Sequence, residues 1–371
     1  MKILNIIWKF STGGIGKCFL SYATLSEVDK SISVISVCID PQSCDYDREP
    51  LKQIGAEIVS IRNKADLSWI KKTKQIVDRE NPDVIFCHGF NGPVVVETIR
   101  RFYQLNIPMV CSYHGLYHAP TFVKKPLEYI FNHVQTWLYR NCADRVVMVE
   151  NYSKSYLKKA GVPEWKMMVV HNGIPEQTGH IVPIELSSNI VSIGLASRLD
   201  GVKGIEYLLE AIPFMKTITK NKFHVFILGN GPLENKLKGM VNDLGILEEV
   251  SFLGYQSNIA EWLAAWDIFV LPSLHEYHSI ALLEAMRAGK AIVATKVGGN
   301  EESITDQEQG IIVPPKDSIA LANALQLLID STGLRILLGK SAKNRYLMEF
   351  TETIMKKNLV AIFKSLSDRK K

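Results

Sequence analysis

The chain has 371 residues, 47% of them hydrophobic, and a formal net charge of +5 from 43 Lys and Arg against 38 Asp and Glu. The length suggests two domains of roughly 150 residues each, and without a run of 18 apolar residues the sequence predicts no transmembrane helix. The six cysteines stand singly in the first half without C-x-x-C spacing, which indicates buried free thiols in a reducing cytoplasm rather than disulfides or a zinc site.

The positive charge is uneven along the chain. Through Pro175 there are 22 Lys and Arg against 16 Asp and Glu, and the remainder has 21 against 22. This excess predicts an anionic partner for the first half. Nucleic acid is disfavoured because the basic residues are not interleaved with stacking aromatics. An acidic membrane or a lipid diphosphate fits, with residues 69–74 and 124–137 either lying on that membrane or packing as ordinary helices.

The first predicted strand, residues 2–8, is too short in its apolar part for a signal peptide and leads into the turn Ser11-Thr-Gly-Gly-Ile-Gly16. A helix is expected from about 17 to 28. A glycine turn between strand and helix allows backbone N–H groups to approach a phosphate. The turn matches neither a P-loop, since Cys18 stands where Ser or Thr is needed, nor a dinucleotide fingerprint. A tight turn without a ligand is the alternative.

Apolar segments then alternate with helical ones through the rest of the first half. Strands are predicted at 32–39, 57–61, 84–87, 109–113 and 145–149, with helices near 50–54, 66–80, 92–101 and 126–142. Strands rich in β-branched residues and lacking polar alternation are typical of a parallel sheet covered on both faces. The D-x-D pair Asp45 and Asp47 lies in a polar loop with no partner motif, and we interpret it as solvated surface.

Three predicted strand ends, two of them those of 84–87 and 109–113, are followed by a polar residue and then glycine: His88, His114 and Asn172. Open α/β sheets bind ligands at the carboxyl ends of their strands. The three endings therefore predict a ligand-binding edge, although a single histidine is more often structural, and for His88 both readings stay open.

A polar segment from 177 to 188 is expected to link the domains, after which the alternation resumes. Strands are predicted at 190–196, 223–228, 268–272, 290–295 and 310–315, and helices at 204–215, 259–265 and from Ile280, with a largely helical tail from 319 to 366. Arg198 and Lys203 follow the first of these strands and precede its helix. A guanidinium and an ammonium in that position would hold an anion together with the helix dipole. A surface basic pair is the alternative.

Two carboxylates stand eight residues apart, Glu276 in a loop and Glu284 inside the helical segment. Loop-then-helix geometry can bring both acids to one cleft. The alternative is a helix cap beside a solvated glutamate.

Together these motifs resemble the retaining GT-B glycosyltransferases of family 4. The resemblance covers nearly the whole chain and rests on E-x7-E from Glu276 to Glu284 and R-x4-K from Arg198 to Lys203. His114-Gly115, Asn172-Gly173-Ile174 and Gly229 match as well, whereas Pro175 replaces the usual Asp. The implied fold is α/β GT-B, two Rossmann-like domains with parallel sheets facing a cleft. Residues 1–178 would form the acceptor domain, with a helix from about 346 to 371 packing back on it, and 179–345 the donor domain.

The resemblance also implies roles for individual residues. The implied catalytic residues are His114, Arg198, Lys203 and Glu276, and the implied donor contacts are Gly13, Gly14, Asn172, Arg198, Lys203, Gly229, Leu253, Glu276, Ser279, Ile280 and Glu284. The first Glu would contact sugar hydroxyls and the second the ribose. No metal and no cofactor is implied.

The implied activity is transfer of a sugar from a nucleotide diphosphate donor, UDP above all, to a saccharide or lipid-linked acceptor in the cytoplasm or at the inner face of the plasma membrane. Two alternatives remain, a sugar-nucleotide epimerase of similar architecture and a catalytically silent glycosyltransferase-like subunit. The intact paired motifs argue against both. The donor sugar, the acceptor and the oligomeric state are not indicated by the sequence.

Overall fold

The computed structural model describes residues 1–10, 13–41, 48–63, 65–115 and 125–367, and it divides into two compact units. The first unit comprises Met1–Asn172 with Glu352–Lys371, and the second comprises Gly173–Thr351. The sequence placed these divisions at 178 and about 346. Ile174 belongs to the second unit because it pairs there with Thr351, and its amide donates to the Phe350 carbonyl at 3.1 Å.

The first unit is built on a seven-stranded sheet in the order β3-β2-β1-β4-β5-β6-β7, and every strand pair in it is parallel. The strands are β1 Lys2–Trp8, β2 Ser33–Pro41, β3 Glu57–Ile61, β4 Val84–His88, β5 Met109–Tyr113, β6 Arg145–Met148 and β7 Met167–Val169. Every residue of β4, β5 and β6 is buried, as expected for strands covered by helices on both faces.

The helices of this unit are α1 Gly14–Tyr22, α2 Glu49–Gln53, α3 Ser68–Glu80, α4 Asn91–Phe102, α5 Lys125–Asn141 and α6 Lys154–Lys159. The predicted helix from about 17 to 28 was wrong in its bounds, because α1 begins at Gly14 and ends at Tyr22. Trp69 is buried, and its ring lies edge-on to Trp8 at 5.7 Å. Trp69 therefore belongs to the interior. Of the two alternatives given for residues 69–74, its position agrees with an ordinary packed helix and not with a helix lying on a membrane.

The second unit is built on a six-stranded parallel sheet in the order β10-β9-β8-β11-β12-β13. Its strands are β8 Val191–Ala196, β9 Phe223–Leu228, β10 Val250–Gly254, β11 Ile268–Leu271, β12 Ala291–Thr295 and β13 Ile311–Val313. Its helices are α7 Ile205–Ile218, α8 Glu234–Asp243, α9 Ile259–Ala265, α10 Ile280–Arg287, α11 Asn300–Ser303, α12 Ser318–Asp330 and α13 Thr332–Glu349.

A last helix, α14 Glu352–Ser367, packs on the first unit. Phe363 is fully buried with its ring 5.2 Å from Phe86. Lys356 is buried as well, and its Nζ lies 2.7 Å from a Glu27 carboxylate oxygen and 2.6 Å from the Thr24 hydroxyl. The apolar side of α14 and this ion pair attach the chain end to the unit that contains the chain start.

Among the described residues no single helix is long and apolar enough to cross a membrane. The pair α12 and α13 meets that criterion by length and composition together, with a bend of 104° between them.

Both units are doubly wound sheets in which the strand order reverses once. The reversal lies between β1 and β4 in the first unit and between β8 and β11 in the second. Loops leaving the carboxyl ends of the two strands at such a point diverge and leave a crevice, where ligands bind in this class of fold.

Candidate functional site

The central feature of the second unit is an ion pair at this reversal. Lys203 lies in the connection between β8 and α7, and Glu276 lies in the connection between β11 and α10. Because β8 and β11 are neighbours in the sheet, their following loops are brought side by side. The Lys203 Nζ lies 2.7 Å from the Glu276 Oε1, a charge-assisted hydrogen bond of ordinary length.

Glu276 is held from a second direction and keeps one oxygen available. The Ser273 hydroxyl donates to the same Oε1 at 2.7 Å. The Oε2 accepts no hydrogen bond from any residue in the described part of the chain. Only 8% of Glu276 is exposed, so its carboxylate is fixed and largely desolvated, with one oxygen left for a ligand hydroxyl.

The backbone of Glu276 packs directly against the loop after β12. Gly298 has φ +50°, and a Cβ at this position would lie 1.7 Å from the Glu276 carbonyl oxygen. The next amide, that of Gly299, donates to the Tyr277 carbonyl at 2.7 Å. Glycine at 298 is therefore required both by the backbone conformation and by the close approach of Glu276.

Arg198 is arranged differently from Lys203. Its side chain is 74% exposed and forms an ion pair with the buried carboxylate of Asp200. Lys203 is 22% exposed in its side chain. Each cation of the R-x4-K motif is thus paired with a carboxylate, but their exposure differs. The Arg198 guanidinium is largely exposed, whereas the Lys203 ammonium is mostly buried.

The residues predicted around the second carboxylate lie on α10. Ser279 is the N-cap, and its hydroxyl accepts from the Leu282 amide at 3.4 Å. Ile280 begins the helix and packs on the apolar core, while Glu284 lies one turn further and is half-buried. Glu276 and Glu284 therefore belong to one loop–helix segment, as the spacing indicated.

Gly229, directly after β9, and Leu253, in β10, lie near the same edge of the sheet. Gly229 follows β9, and a Cβ there would lie 1.9 Å from the Ser197 carbonyl oxygen, so the connection carrying Arg198 approaches it closely. The Gly229 amide donates to the Gly254 carbonyl at 2.7 Å, and the Leu253 carbonyl accepts from the Gln256 side chain at 2.8 Å.

In the first unit, His114 follows β5 and its Nε2 lies 2.7 Å from the Ser112 hydroxyl. Burial lowers the pKa of His114 to about 4. The imidazole is consequently neutral at physiological pH and can serve as a hydrogen-bonding group rather than a cation.

His88 is buried beside it, with ring centroids 6.2 Å apart. The Asn5 amide nitrogen donates to Phe19 O and Ser36 Oγ, so its Oδ1 accepts, and His88 Nε2 is the donor at 2.6 Å. The proton is therefore assigned to Nε2. Burial, with a smaller contribution from His114, lowers the pKa of His88 well below its ordinary value.

The glycine turn and Asn172 lie in the same unit. Gly13 is the N-cap of α1, and Gly14 is its first residue and is exposed. Asn172 is buried, and its Oδ1 accepts from the Cys18 thiol at 3.3 Å. Ser11 and Thr12, which begin the turn, lie outside the described residues.

The described cysteines are free, as predicted. Cys18, Cys38, Cys87 and Cys111 are buried and Cys142 is half-buried, while Cys44 lies outside the described ranges. Burial raises the pKa of Cys18 to about 12. Within the described ranges no group of three or more His, Cys, Asp and Glu side chains is placed to bind a metal ion. The Asp45–Asp47 pair falls outside those ranges.

Sequence reasoning missed several residues that fix the sites: Asn5, Ser112 and Ser273. Each is a polar residue at or inside an apolar strand segment, where a buried side chain must find a partner. That signal was present in the sequence. The identity of the partner was not, because it depends on which strands are neighbours.

Comparison with known proteins gives a consistent result for both units. A model described as Glycosyltransferase Family 4 matches residues 35–178, and one described as Glycosyl transferases group 1 matches residues 188–345. The chain is 25% identical to an uncharacterized glycosyltransferase of Methanocaldococcus jannaschii, covering 98% of each. It is 24% identical to the UDP-Gal:alpha-D-GlcNAc-diphosphoundecaprenol alpha-1,3-galactosyltransferase of Escherichia coli, covering 77% of each.

Among solved structures, HepE of Anabaena in complex with UDP superposes with a TM-score of 0.80 at 20% identity. The match covers 98% of this chain and 100% of that one.

Proposed function

Because this chain belongs to the group 1 glycosyltransferases and has their GT-B fold, we propose that it transfers a sugar from a UDP-linked donor, with retention of configuration, to a glycan or lipid-linked saccharide. The setting would be synthesis of cell-surface polysaccharide or glycolipid. Support comes from relatives, since the Escherichia coli enzyme is named for a UDP-sugar donor and a diphosphoundecaprenol acceptor. The observation that carries the proposal is the Lys203–Glu276 pair at the strand reversal of the second unit.

The charges of this pair suit the reaction. Breaking the bond between sugar and diphosphate builds positive charge on the sugar and negative charge on the leaving group. Lys203 has N–H groups beyond the one that bonds Glu276 and can donate them to phosphate oxygens. Arg198 supplies a planar fork for the same anion. Donors fixed before the reaction lower its barrier because they need little reorganisation.

The two carboxylates would bind the neutral parts of the donor. Glu276 Oε2 is the acceptor left for a sugar hydroxyl, and the Oε1 bonds hold it in place. Glu284, one turn into α10, would bind the ribose hydroxyls. A hydrogen bond to a charged group is worth about 1.5–3 kcal/mol, enough to orient the ring.

The reaction itself forms one bond and breaks one. The acceptor oxygen bonds to the anomeric carbon on the face that the diphosphate leaves. The bond from that carbon to the phosphate oxygen breaks, and this oxygen takes the proton of the acceptor hydroxyl. Arg198 and Lys203 hold the released diphosphate while the proton is transferred.

We propose that the enzyme works in the cytoplasm, in accord with the free cysteines of the described chain. His114, Gly13, Gly14 and Asn172 stay donor contacts by resemblance. His114→Gln keeps a polar group beside Ser112 and should lower the transfer rate while leaving the free nucleotide affinity unchanged.

The test begins with the nucleotide. Thermal-shift screening against UDP, ADP, GDP and their sugar conjugates identifies the donor. UDP is then titrated by calorimetry into wild type and the variants Arg198→Ala, Lys203→Ala, Glu276→Gln and Glu284→Gln. Losing a contact to the diphosphate or ribose should weaken UDP by about 1.5–3 kcal/mol, roughly 10- to 100-fold in Kd. Glu276→Gln should change UDP affinity little and lower transfer sharply.

Lys238→Ala, on the exposed face of α8, is the matched control and should leave both UDP affinity and transfer unchanged. The assignment fails if Glu276→Gln weakens UDP as strongly as Arg198→Ala does. The proposed activity fails if no sugar nucleotide binds.

A further inference from the structure

Helix α5 of the first unit exposes a group of large apolar side chains. Tyr129, Ile130, Val134 and Trp137 are 66%, 52%, 40% and 45% exposed. Residues at these spacings lie on one side of a helix, within about 140° of arc. In a helix that covers a sheet, the apolar side normally faces the core.

The buried side of α5 is mixed in composition, because polar side chains lie there beside the buried Leu138 and Tyr139. Asn132, Gln135 and Thr136 are all buried. The Gln135 side-chain amide donates to the Tyr139 hydroxyl at 2.8 Å, and the Thr136 hydroxyl donates to the Asn132 carbonyl at 2.9 Å. Both bonds lie within α5, and the rotation of the helix is fixed by ring contacts to the rest of the unit: Tyr139 lies 6.0 Å from Tyr113 of β5, and Phe131 lies 5.0 Å from Phe90.

Cations flank the exposed apolar residues. The Arg101 guanidinium lies 5.5 Å from the Trp137 ring centre. Arg140 lies on the same side of α5 and is exposed, and its guanidinium forms no ion pair within the described ranges. Phe102, beside Arg101, is 72% exposed. Residues 129–141 contain no Asp or Glu.

The surface extends past the end of the helix. Lys166 Nζ donates to the Arg140 carbonyl at 2.9 Å and lies 5.3 Å from the ring centre of Trp165, which is itself 54% exposed. We call the exposed side of α5, with Arg101, Phe102 and Trp165, the α5 surface. Tryptophan, tyrosine and arginine beside aliphatic residues form the composition found at a membrane–water interface.

The net charge of the whole first unit also favours an anionic surface as the partner. The first unit has 28 Lys and Arg against 18 Asp and Glu, a net charge of +10, whereas the second has 15 against 20, a net charge of −5. With these opposite net charges, long-range attraction to an anionic surface comes from the first unit. Each basic residue near an anionic lipid surface contributes about 1 kcal/mol of attraction.

We propose that the α5 surface docks on an anionic phospholipid bilayer, with Ile130, Val134 and Trp137 in the headgroup region and Arg101 and Arg140 against lipid phosphates. A second copy of this chain is a poorer occupant. A two-fold dimer places the same patch of each copy against the other, which would bring two +10 units together.

The test is sedimentation with vesicles containing about 30% phosphatidylglycerol, compared with pure phosphatidylcholine, at low and physiological salt. Wild type should bind the anionic vesicles more strongly, and the binding should weaken steeply with salt. Ile130→Ser with Trp137→Ser should lower the partition coefficient by about tenfold or more. Arg101→Gln with Arg140→Gln should lower it and flatten the salt dependence.

Matched controls lie on the second unit. Ile336 and Leu337 on α13 are 66% and 65% exposed, so Ile336→Ser with Leu337→Ser removes two exposed apolar side chains elsewhere. Lys222→Gln with Lys236→Gln removes two exposed cations. Both controls should bind vesicles as wild type does, and every variant should keep the wild-type melting temperature and its shift on UDP binding.

The proposal is overturned if the wild-type protein does not bind anionic vesicles at low salt. It is also overturned if the α5 variants and the control variants lose vesicle binding to the same extent. It is also overturned if ultracentrifugation shows a wild-type dimer that the Ile130/Trp137 variant dissociates, since the surface would then be covered by a second copy. UDP affinity is measured in parallel, so failure here is distinguishable from failure of the proposed activity.

Discussion

Lys203 and Glu276 are 73 positions apart in the chain, and their side chains meet at 2.7 Å because β8 and β11 are neighbours at the strand reversal. The cation assigned to the diphosphate and the anion assigned to the sugar are therefore bonded to each other. Each holds the other in position, so we expect the two side chains to act together in the transfer step.

A double-mutant cycle on this pair should reveal strong coupling. Lys203→Met and Glu276→Gln should each lower the transfer rate, and the double variant should lose less than the product of the two. We expect a coupling energy of about 1–3 kcal/mol in kcat/KM, the range for residues in direct contact. The measurement is donor turnover by wild type, both single variants and the double variant.

The control cycle uses Lys238 and Glu234, which also lie 2.7 Å apart but are paired along the exposed side of α8. The coupling energy of this pair in the transfer rate should be near zero, because exposed pairs contribute little and neither residue is assigned a contact with the donor. Strictly additive losses for Lys203 and Glu276 would contradict a shared role.

Much of this architecture was accessible from the sequence, for a specific physical reason. Strands buried on both faces leave continuous apolar segments such as those of β4 and β5, and these predict parallel sheets without any knowledge of contacts. The carboxyl ends of such strands are the ligand edge. The motif residues Arg198, Lys203 and Glu276 were therefore placed at the correct end of the second sheet.

What escaped prediction depended on tertiary context. The three-residue strand β7 and the six-residue α6 are too short to give a periodic signal. Trp69 shares a basic segment with Lys71 and Lys72, yet its ring turns inward against Trp8. The bond between Lys203 and Glu276 required the strand order, which local patterns do not contain.

Gly298→Ala should damage the site without touching a charged group. Its Cβ would lie 1.7 Å from the Glu276 carbonyl oxygen at a residue with φ +50°, so the Glu276 backbone must move. Displacing a positioned group by about 1 Å can lower a rate by roughly 100-fold. Strained backbone of this kind costs about 1–3 kcal/mol of stability.

Transfer rate and melting temperature should both fall in this variant, and the rate should fall further than UDP affinity. The matched control is Gly239→Ala in α8, where a Cβ meets nothing within 4 Å. It should raise stability by about 0.5–1 kcal/mol through helix propensity and leave transfer intact. Equal activity of Gly298→Ala and wild type would show that Glu276 tolerates displacement.

Transfer should continue in excess EDTA at nearly the untreated rate. Arg198 and Lys203 provide two positive charges for the leaving diphosphate, the role that a divalent cation has in metal-dependent transferases. The assay compares initial rates with EDTA, without it, and with EDTA followed by excess Mn²⁺. A complete loss that Mn²⁺ restores would refute the assignment of these two side chains.

The pH dependence of stability should carry the signature of His114. Its pKa in the folded protein is about 4, below the 6.5 of an exposed histidine, because burial disfavours the cation. Between pH 4 and pH 6.5, His114 is therefore protonated in the unfolded chain and neutral in the folded chain. The contribution of His114 to the free energy of unfolding is fully present above pH 6.5 and is lost as the pH falls toward 4. It amounts to at most about 3 kcal/mol for this half-buried group.

His114→Gln keeps a hydrogen-bonding group for Ser112 but cannot titrate. At pH 7.5 the variant should have a lower free energy of unfolding than wild type, and this difference should be smaller at pH 4.5. Urea unfolding at each pH measures it. Burial of His88 lowers its pKa and acts in the same direction in both proteins, and the substitution removes only the smaller contribution of His114 to that pKa, so the difference reports mainly on His114. His180→Gln, at an exposed position of the second unit, should run parallel to wild type. A constant gap between His114→Gln and wild type from pH 7.5 to 4.5 would mean that this imidazole is protonated as readily in the folded chain as in the unfolded one.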